Sequence, residues 1–426
     1  MLTDAHGLGV TTTDRVALDL YDQGARGVLA WDAAALERFR AATARDEQLG
    51  LGHAGAAVCL FLDERFEEAR AEAAQARAAA AAQSARERGH AEAVALLVGG
   101  QTTEAERAMR AHLGAFPRDL LILQRLYFIL FWQGRFPEML TLTEELGGRN
   151  AGDSFRLGLH AFALEEEGRR DEALRAAEAA LALEPRDAWA VHAFAHVLYE
   201  TGRSGEGLSA LPARIEPCVQ LGWFRDHLLW HLALMHLAGG SYDQARALGR
   251  EVFERVPSPV AGDLHDSISL LWRFELYGRR QGEAWTPFAA IARERIGRPG
   301  LLYHAAHLAM ALTMGGDWAT ADGQLEMLRG RAAKDRSGLV AGVAIPLIEG
   351  LHAFAGGEYG RVIERIEPLR PRIVELGGSR AQRDVYHDTL LEACFRAGDL
   401  ERAERLLAER LRMRAEHFWL HRRGTN

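Results

Sequence analysis

The chain has 426 residues, 48% of them hydrophobic and 26% charged, with a net charge of −8 and a mean hydropathy of −0.15. That composition excludes a disordered chain and a membrane-embedded one, and the acidic balance lacks the basic face that nucleic-acid binding needs. No run approaches the ~20 apolar residues of a spanning helix.

The start, MLTDAHGLGVTTTD, has neither the basic nor the apolar region of a leader peptide. The three cysteines, Cys59, Cys218 and Cys394, make no CxxC pair, so no disulfide framework is expected. A cytoplasmic protein follows as the expectation. Lys334 is the sole lysine among 51 basic residues, so arginine would have to serve any buried anion site.

Few prolines and much alanine, leucine, glutamate and arginine favour helix throughout. In chain order, the alanine-rich stretch Ala71 to Arg88 reads as the second helix of a helical hairpin. A frame near 34 residues, the tetratricopeptide length, then takes over. Residues 86–119 carry Ala93, Gly100, Ala105 and Pro117 in that frame. Residues 154–187 are the clearest copy, with Ala161, Gly168, Ala173, Ala180 and Pro185. Residues 226–259 repeat it with Ala233, Gly240, Ala245 and Pro257. The small residues let two antiparallel helices approach closely, the glycine suits the turn between them, and the proline ends the second helix.

Weaker copies end their first helices at Gly134, Gly202, Gly278, Gly316, Gly357 and Gly398. Turns such as GRRDEA, GSYDQA and GDLERA recur, and no linker interrupts them. The predicted fold is all-α: one tetratricopeptide-like, right-handed superhelical solenoid over residues 1–426, with a concave inner surface.

Histidine is the unusual residue. Eight of 17 lie between His192 and His307. His192/His196 and His227/His231 are spaced i, i+4, and His304/His307 i, i+3, so each pair shares one helix face, as a helical metal site requires. First helices line the concave side, which would turn these rings inward. The plain alternative is packed or hydrogen-bonded wall residues. No HExxH accompanies either pair, and neither metal nor cofactor is expected.

Further on, LHDSISLLWRFEL places Asp266, Ser269 and Arg273 on one side of a helix. An Asp266–Arg273 ion pair or an Asp–His contact is expected there, with Arg273 free to meet an anionic ligand as the alternative. Finally, LGGSRAQRDVYHD breaks one helix and opens another, grouping Arg380, Gln382, Arg383 and Asp384 at a helix start that suits a carboxylate or phosphate. A local cap or pair for Asp384 is the competing reading. No GxSxG, P-loop or dinucleotide fingerprint occurs.

These segments together resemble the tetratricopeptide repeat protein 38 family. The resemblance runs through GVTTTDRVALDLYD, DAWAVHAFAHVLYETGR, DHLLWHLAL, DSISLLWR, HAAHLAMAL and GGSRAQRDV, covering nearly the whole chain in order. It implies a tetratricopeptide solenoid and brings no settled reaction. By position it singles out His192, His196, His227, His231, Asp266, Ser269, Arg273, His307, Gln382, Arg383 and Asp384.

Two functions stand open: a scaffold holding a protein or peptide in its concave groove, or a binder of a small anionic ligand, or an enzyme, with a His/Asp/Arg pocket. An enclosed cavity would favour the second and an open channel the first. Burial is expected to depress the histidine pKa values unless Asp266 compensates.

Overall fold

The computed structural model describes residues 1–150, 152–218, 221–254, 257–298 and 300–422. Its rhythm is set by glycine. Gly100, Gly134, Gly168, Gly202, Gly240, Gly278, Gly316, Gly357 and Gly398 all adopt φ between +67° and +80°, a region that side-chain-bearing residues enter at a cost. Successive turns lie 34 residues apart up to Gly202, 38 apart up to Gly316 and 41 apart thereafter.

The three clearest units are the helical hairpins the frame predicts. Ala85–Val98 is followed by Thr102–Ala115, Ser154–Glu166 by Arg170–Leu183, and Trp223–Ala238 by Tyr242–Gly249. Their frame alanines, Ala93, Ala105, Ala161, Ala173, Ala180, Ala233 and Ala245, are completely buried. Any larger side chain there would overpack the hairpin interface.

Twenty-three α-helices occur among the described residues, against two two-residue strands, Leu2–Thr3 and Gly9–Val10, which pair antiparallel. The chain is all-α, with a tetratricopeptide-like solenoid fold. In two of the longer units the winding loosens to π-helix, at Arg250–Glu254 and Val340–Ala344. Among the described residues no helix is long and apolar enough to cross a membrane, and the three cysteines are free and buried.

The stretch Ala71 to Arg88 corrects one expectation. It is the end of one helix, Phe66–Ala80, and the start of the next. Ser84 caps the second of these, accepting from Glu87 N while Glu87 reaches back to Ser84 N. A serine with glutamate three residues on is a helix-start signal, and it outweighs the uniform alanine content.

By contact the chain forms two compact units: residues 1–130, 136–194 and 213–225, and residues 131–135, 195–212 and 226–426. In the second, the helix Ala261–Leu276 is buried at every position from Asp263 onward, and Leu302–Met314 and Arg380–Arg396 are buried on almost every face. Helices so enclosed must pair their polar side chains with one another. Lys334 is exposed in the turn after the helix Trp318–Ala332.

Candidate functional site

All eleven candidate residues are buried, the most accessible being Arg383 at 8%. His192 belongs to the first unit and the other ten to the second. His192 packs among rings, with Trp189 at 4.6 Å, Phe162 at 5.1 Å and Phe224 at 5.6 Å between centroids.

In the second unit the helices carrying His227 and Asp266 lie side by side. His227 Nδ1 is 2.7 Å from Asp266 Oδ2, and Trp230 Nε1 donates to Ser269 Oγ at 3.2 Å. Of the two expected contacts for Asp266, the Asp–His one forms. His231 stands at 4.6 Å from His196 and 4.9 Å from His227, ring to ring. Burial, reinforced by those two neighbours, holds its pKa well below the ordinary value.

Arg273 is 3% exposed and meets carbonyls: Ser269 O at 3.3 Å and Ala381 O at 2.8 Å, with the Trp230 ring 5.3 Å away. The second contact ties this helix to the start of Arg380–Arg396. Trp272 Nε1 does the same, donating to Thr389 Oγ1 at 2.8 Å.

A further group forms around Tyr303. His307 Nδ1 lies 3.0 Å from Tyr303 O and 3.4 Å from the Tyr386 hydroxyl, and its ring is 5.1 Å from His265. His265 in turn contacts His304. Burial pushes His304 down to about 3 and His307 to about 4, and takes His265 well below its ordinary value. All three are neutral at pH 7, able to donate from one nitrogen and accept at the other.

In GGSRAQRDV the polar residues Ser379, Gln382, Arg383 and Asp384 find partners. Ser379 caps the helix, accepting from Gln382 N at 3.2 Å, while Gln382 Oε1 accepts from Ser379 N at 2.9 Å. Arg383 donates to Gly378 O. Asp384 is gripped by Arg410 and by Arg414 Nη1 at 3.1 Å, and Arg414 also lies 3.5 Å from Glu200. The local reading of Asp384 is therefore corrected, since its partners come from the next helix and beyond. Burial alone would raise the Asp384 carboxyl; Arg410 and Arg414 overturn that and hold it below its ordinary value. Asp388 beside it meets Arg410 at 3.4 Å and His417 at 3.1 Å.

Sequence reading missed a second polar cluster, in the first unit. Asp119 Oδ2 lies 3.0 Å from His90 Nδ1, 3.0 Å from His112 Nε2 and 3.2 Å from Arg86 Nε, and Arg86 also meets Asp4 at 2.7 Å. Burial would raise Asp119, but His90 and Arg86 hold it well below the ordinary value. His90, His112 and Asp119 bring ligand atoms within 4.8 Å of one another. The guanidinium on the same oxygen makes the group a charge cluster rather than a cation cradle. His90 and His112 are 22 residues apart, so no short spacing announces them.

Among the described residues, two cavities of note lie in the second unit. One of about 420 Å³ is lined by Trp318, Asp322, Arg329, Glu349, His352 and Arg361 among others, none of them a candidate residue. The other, about 10 Å³, has Arg273, Asp388 and Arg414 in its wall and is the size of one water.

No family profile matches the chain. Among solved structures it is similar to the crystal structure of yeast Tom70, at 14% identity and TM-score 0.36, covering 94% of this chain and 93% of that one. The Naa15/Naa10 complex bound to HypK-THB gives 15% identity and TM-score 0.26, over 93% of this chain and 63% of that one. The P58(IPK) TPR domain gives 16% and 0.20, over 92% and 98%.

Proposed function

We propose that the chain is a member of the tetratricopeptide repeat protein 38 family, located in the cytoplasm, and that it acts as an interaction scaffold holding a protein or peptide partner in the concave groove of its helical array. One observation carries this reading over catalysis by the histidines: all eleven candidate side chains are buried. Several of those in the second unit are engaged between its helices, His227 with Asp266 and Asp384 with Arg410 and Arg414, while Gln382 and Arg383 are held locally at their helix start. Groups so engaged fix the hairpins relative to one another and leave outer surface for a partner.

A second reading, a pocket for a small anionic ligand, has one specific observation in its favour. Arg273 is buried and, among the described residues, its hydrogen bonds go to carbonyls, beside His307, whose Nε2 has no hydrogen-bond partner. Native mass spectrometry of the purified chain separates the two. A stoichiometric protein partner whose binding survives Arg273→Met supports the scaffold. A small molecule retained by the wild type and released by that substitution refutes it.

A further inference from the structure

The first unit holds a buried positive charge that no carboxylate answers. Arg125, on the helix Leu120–Trp132, is 4% exposed. Its Nη2 donates to Gln124 Oε1 at 2.7 Å, and its Nε has no acceptor. Among the described residues no Asp or Glu oxygen comes within the 4.0 Å of an ion pair. The Phe128 ring lies 5.2 Å away, and the buried Cys59 thiol, which burial keeps protonated, is its titratable neighbour. A solvated arginine loses a great deal on entering such surroundings, and an unpaired buried charge is rarely kept without use. Burial draws its pKa down to about 10.

A second anomaly sits against the same phenylalanine. Trp31 ends the helix Arg15–Ala30 in the left-handed region, φ 64° and ψ 27°, where glycine is the usual residue. For so bulky a side chain that conformation is strained, and strain of this kind gathers where function holds it. Its indole Nε1 is buried without an acceptor. The ring stacks on Phe224 at 4.5 Å and on Trp189 at 5.9 Å, and meets Phe128 edge-on at 5.4 Å and Trp223 at 5.5 Å.

Gln124 links the two anomalies. Its amide lies 3.5 Å from the carbonyls of Val28 and Leu29, the last turn before Trp31, while its oxygen orients Arg125. Trp31, Phe128 and Trp223 each keep part of their surface exposed.

We propose that Arg125 and Trp31 form a binding site for a monocarboxylate with a flat apolar body. One uncompensated positive charge matches a single negative one. The planar guanidinium fork matches two carboxylate oxygens, and the indole N–H supplies a further donor. The surrounding rings suit an aromatic or planar body. A phosphate dianion would bring one charge too many into an apolar setting. The site uses none of the eleven residues discussed above and stands whether or not the scaffold reading does.

The test is calorimetric titration of the full-length chain with benzoate, against benzamide, inorganic phosphate and chloride. Benzoate is expected to bind one to one and more tightly than all three. Arg125→Met should abolish its binding while leaving the thermal midpoint unchanged or raised, because the variant removes an unpaired buried charge. Arg125→Lys, which keeps charge but loses the fork, and Trp31→Phe, which keeps the ring but loses the N–H, should each weaken binding roughly tenfold. The proposal is overturned if benzoate does not bind, or binds no more tightly than benzamide, phosphate or chloride. It also fails if Arg125→Met binds as the wild type does, or if that variant's midpoint falls steeply, which would make the arginine a structural partner.

Discussion

Acidification should find His307 out. The ring is completely buried, with Nδ1 3.0 Å from Tyr303 O, Nε2 unpartnered, and Tyr386, His265 and Arg273 around it. Burial moves its pKa from 6.5 to about 4. As pH falls, the unfolded chain protonates this histidine near 6.5 and the folded chain only near 4. The unfolded state therefore binds more protons across that window, and stability present above 6.5 is lost on the way down. Between about pH 7.5 and about pH 5.5 the loss amounts to about 1.4 kcal/mol for this one group.

The wild type alone would not isolate the effect, because His231, His265 and His304, also depressed by burial, add to it. Asp187 and Asp263, pushed up by burial to about 7, take up protons in the folded state over the same range and act in the opposite sense. His307→Asn isolates it, because it removes this titration while the neighbouring His265 and His304, held down chiefly by their own burial, stay neutral over the range. In urea unfolding, the stability of the variant relative to the wild type should improve by about 1.4 kcal/mol from about pH 7.5 to about pH 5.5. An unchanged difference at the two pH values would mean that the folded ring titrates as it does in the unfolded chain, and the burial argument would fail.

Two further outcomes follow from contacts described above. Asp384→Asn leaves Arg410 and Arg414 short of a buried counter-charge and should cost about 3–5 kcal/mol in urea unfolding; a loss under about 1 kcal/mol would place those arginines effectively in solvent. Gly134→Ala should be far more damaging than Gly168→Ala. The two share a positive φ, worth about 1 kcal/mol, but a Cβ at 134 would collide with Val374 O whereas one at 168 meets nothing within 4 Å. Equal shifts in thermal midpoint would sink that distinction.

The helical hairpins were legible because each rests on short-range signals. A glycine at the turn, alanines at the close approach and a proline after the second helix all lie within one 34-residue frame, and Gly168 or Ala173 can be read without knowing the rest of the fold. The histidine pairs were legible as faces of helices for the same reason, since i, i+4 spacing is local.

Partners were legible only as types. That Asp266 would meet a histidine or an arginine follows from the cost of burying it, but that the histidine is His227, 39 residues earlier, depends on how hairpins stack. Asp384 shows the limit more sharply. Arg410 and Arg414 sit in ERLRMR, where arginines otherwise face water, and nothing local separates the two that turn inward. Arg125 and Trp31 carry no pattern at all. They stand out through what lies around them, which is a property of the packed chain.

The exposed turn at Lys334 has a chemical consequence of its own. With arginine at every other basic position, this turn presents the one side-chain amine in the molecule to an electrophile. Acylating reagents will mark a single side chain, apart from the terminal amino group, and will pass over the guanidinium groups buried around Asp384 and Asp119. A tether or dye placed there leaves every buried ion pair untouched, and once the terminal amino group is blocked the protein can be anchored through this one residue for partner capture.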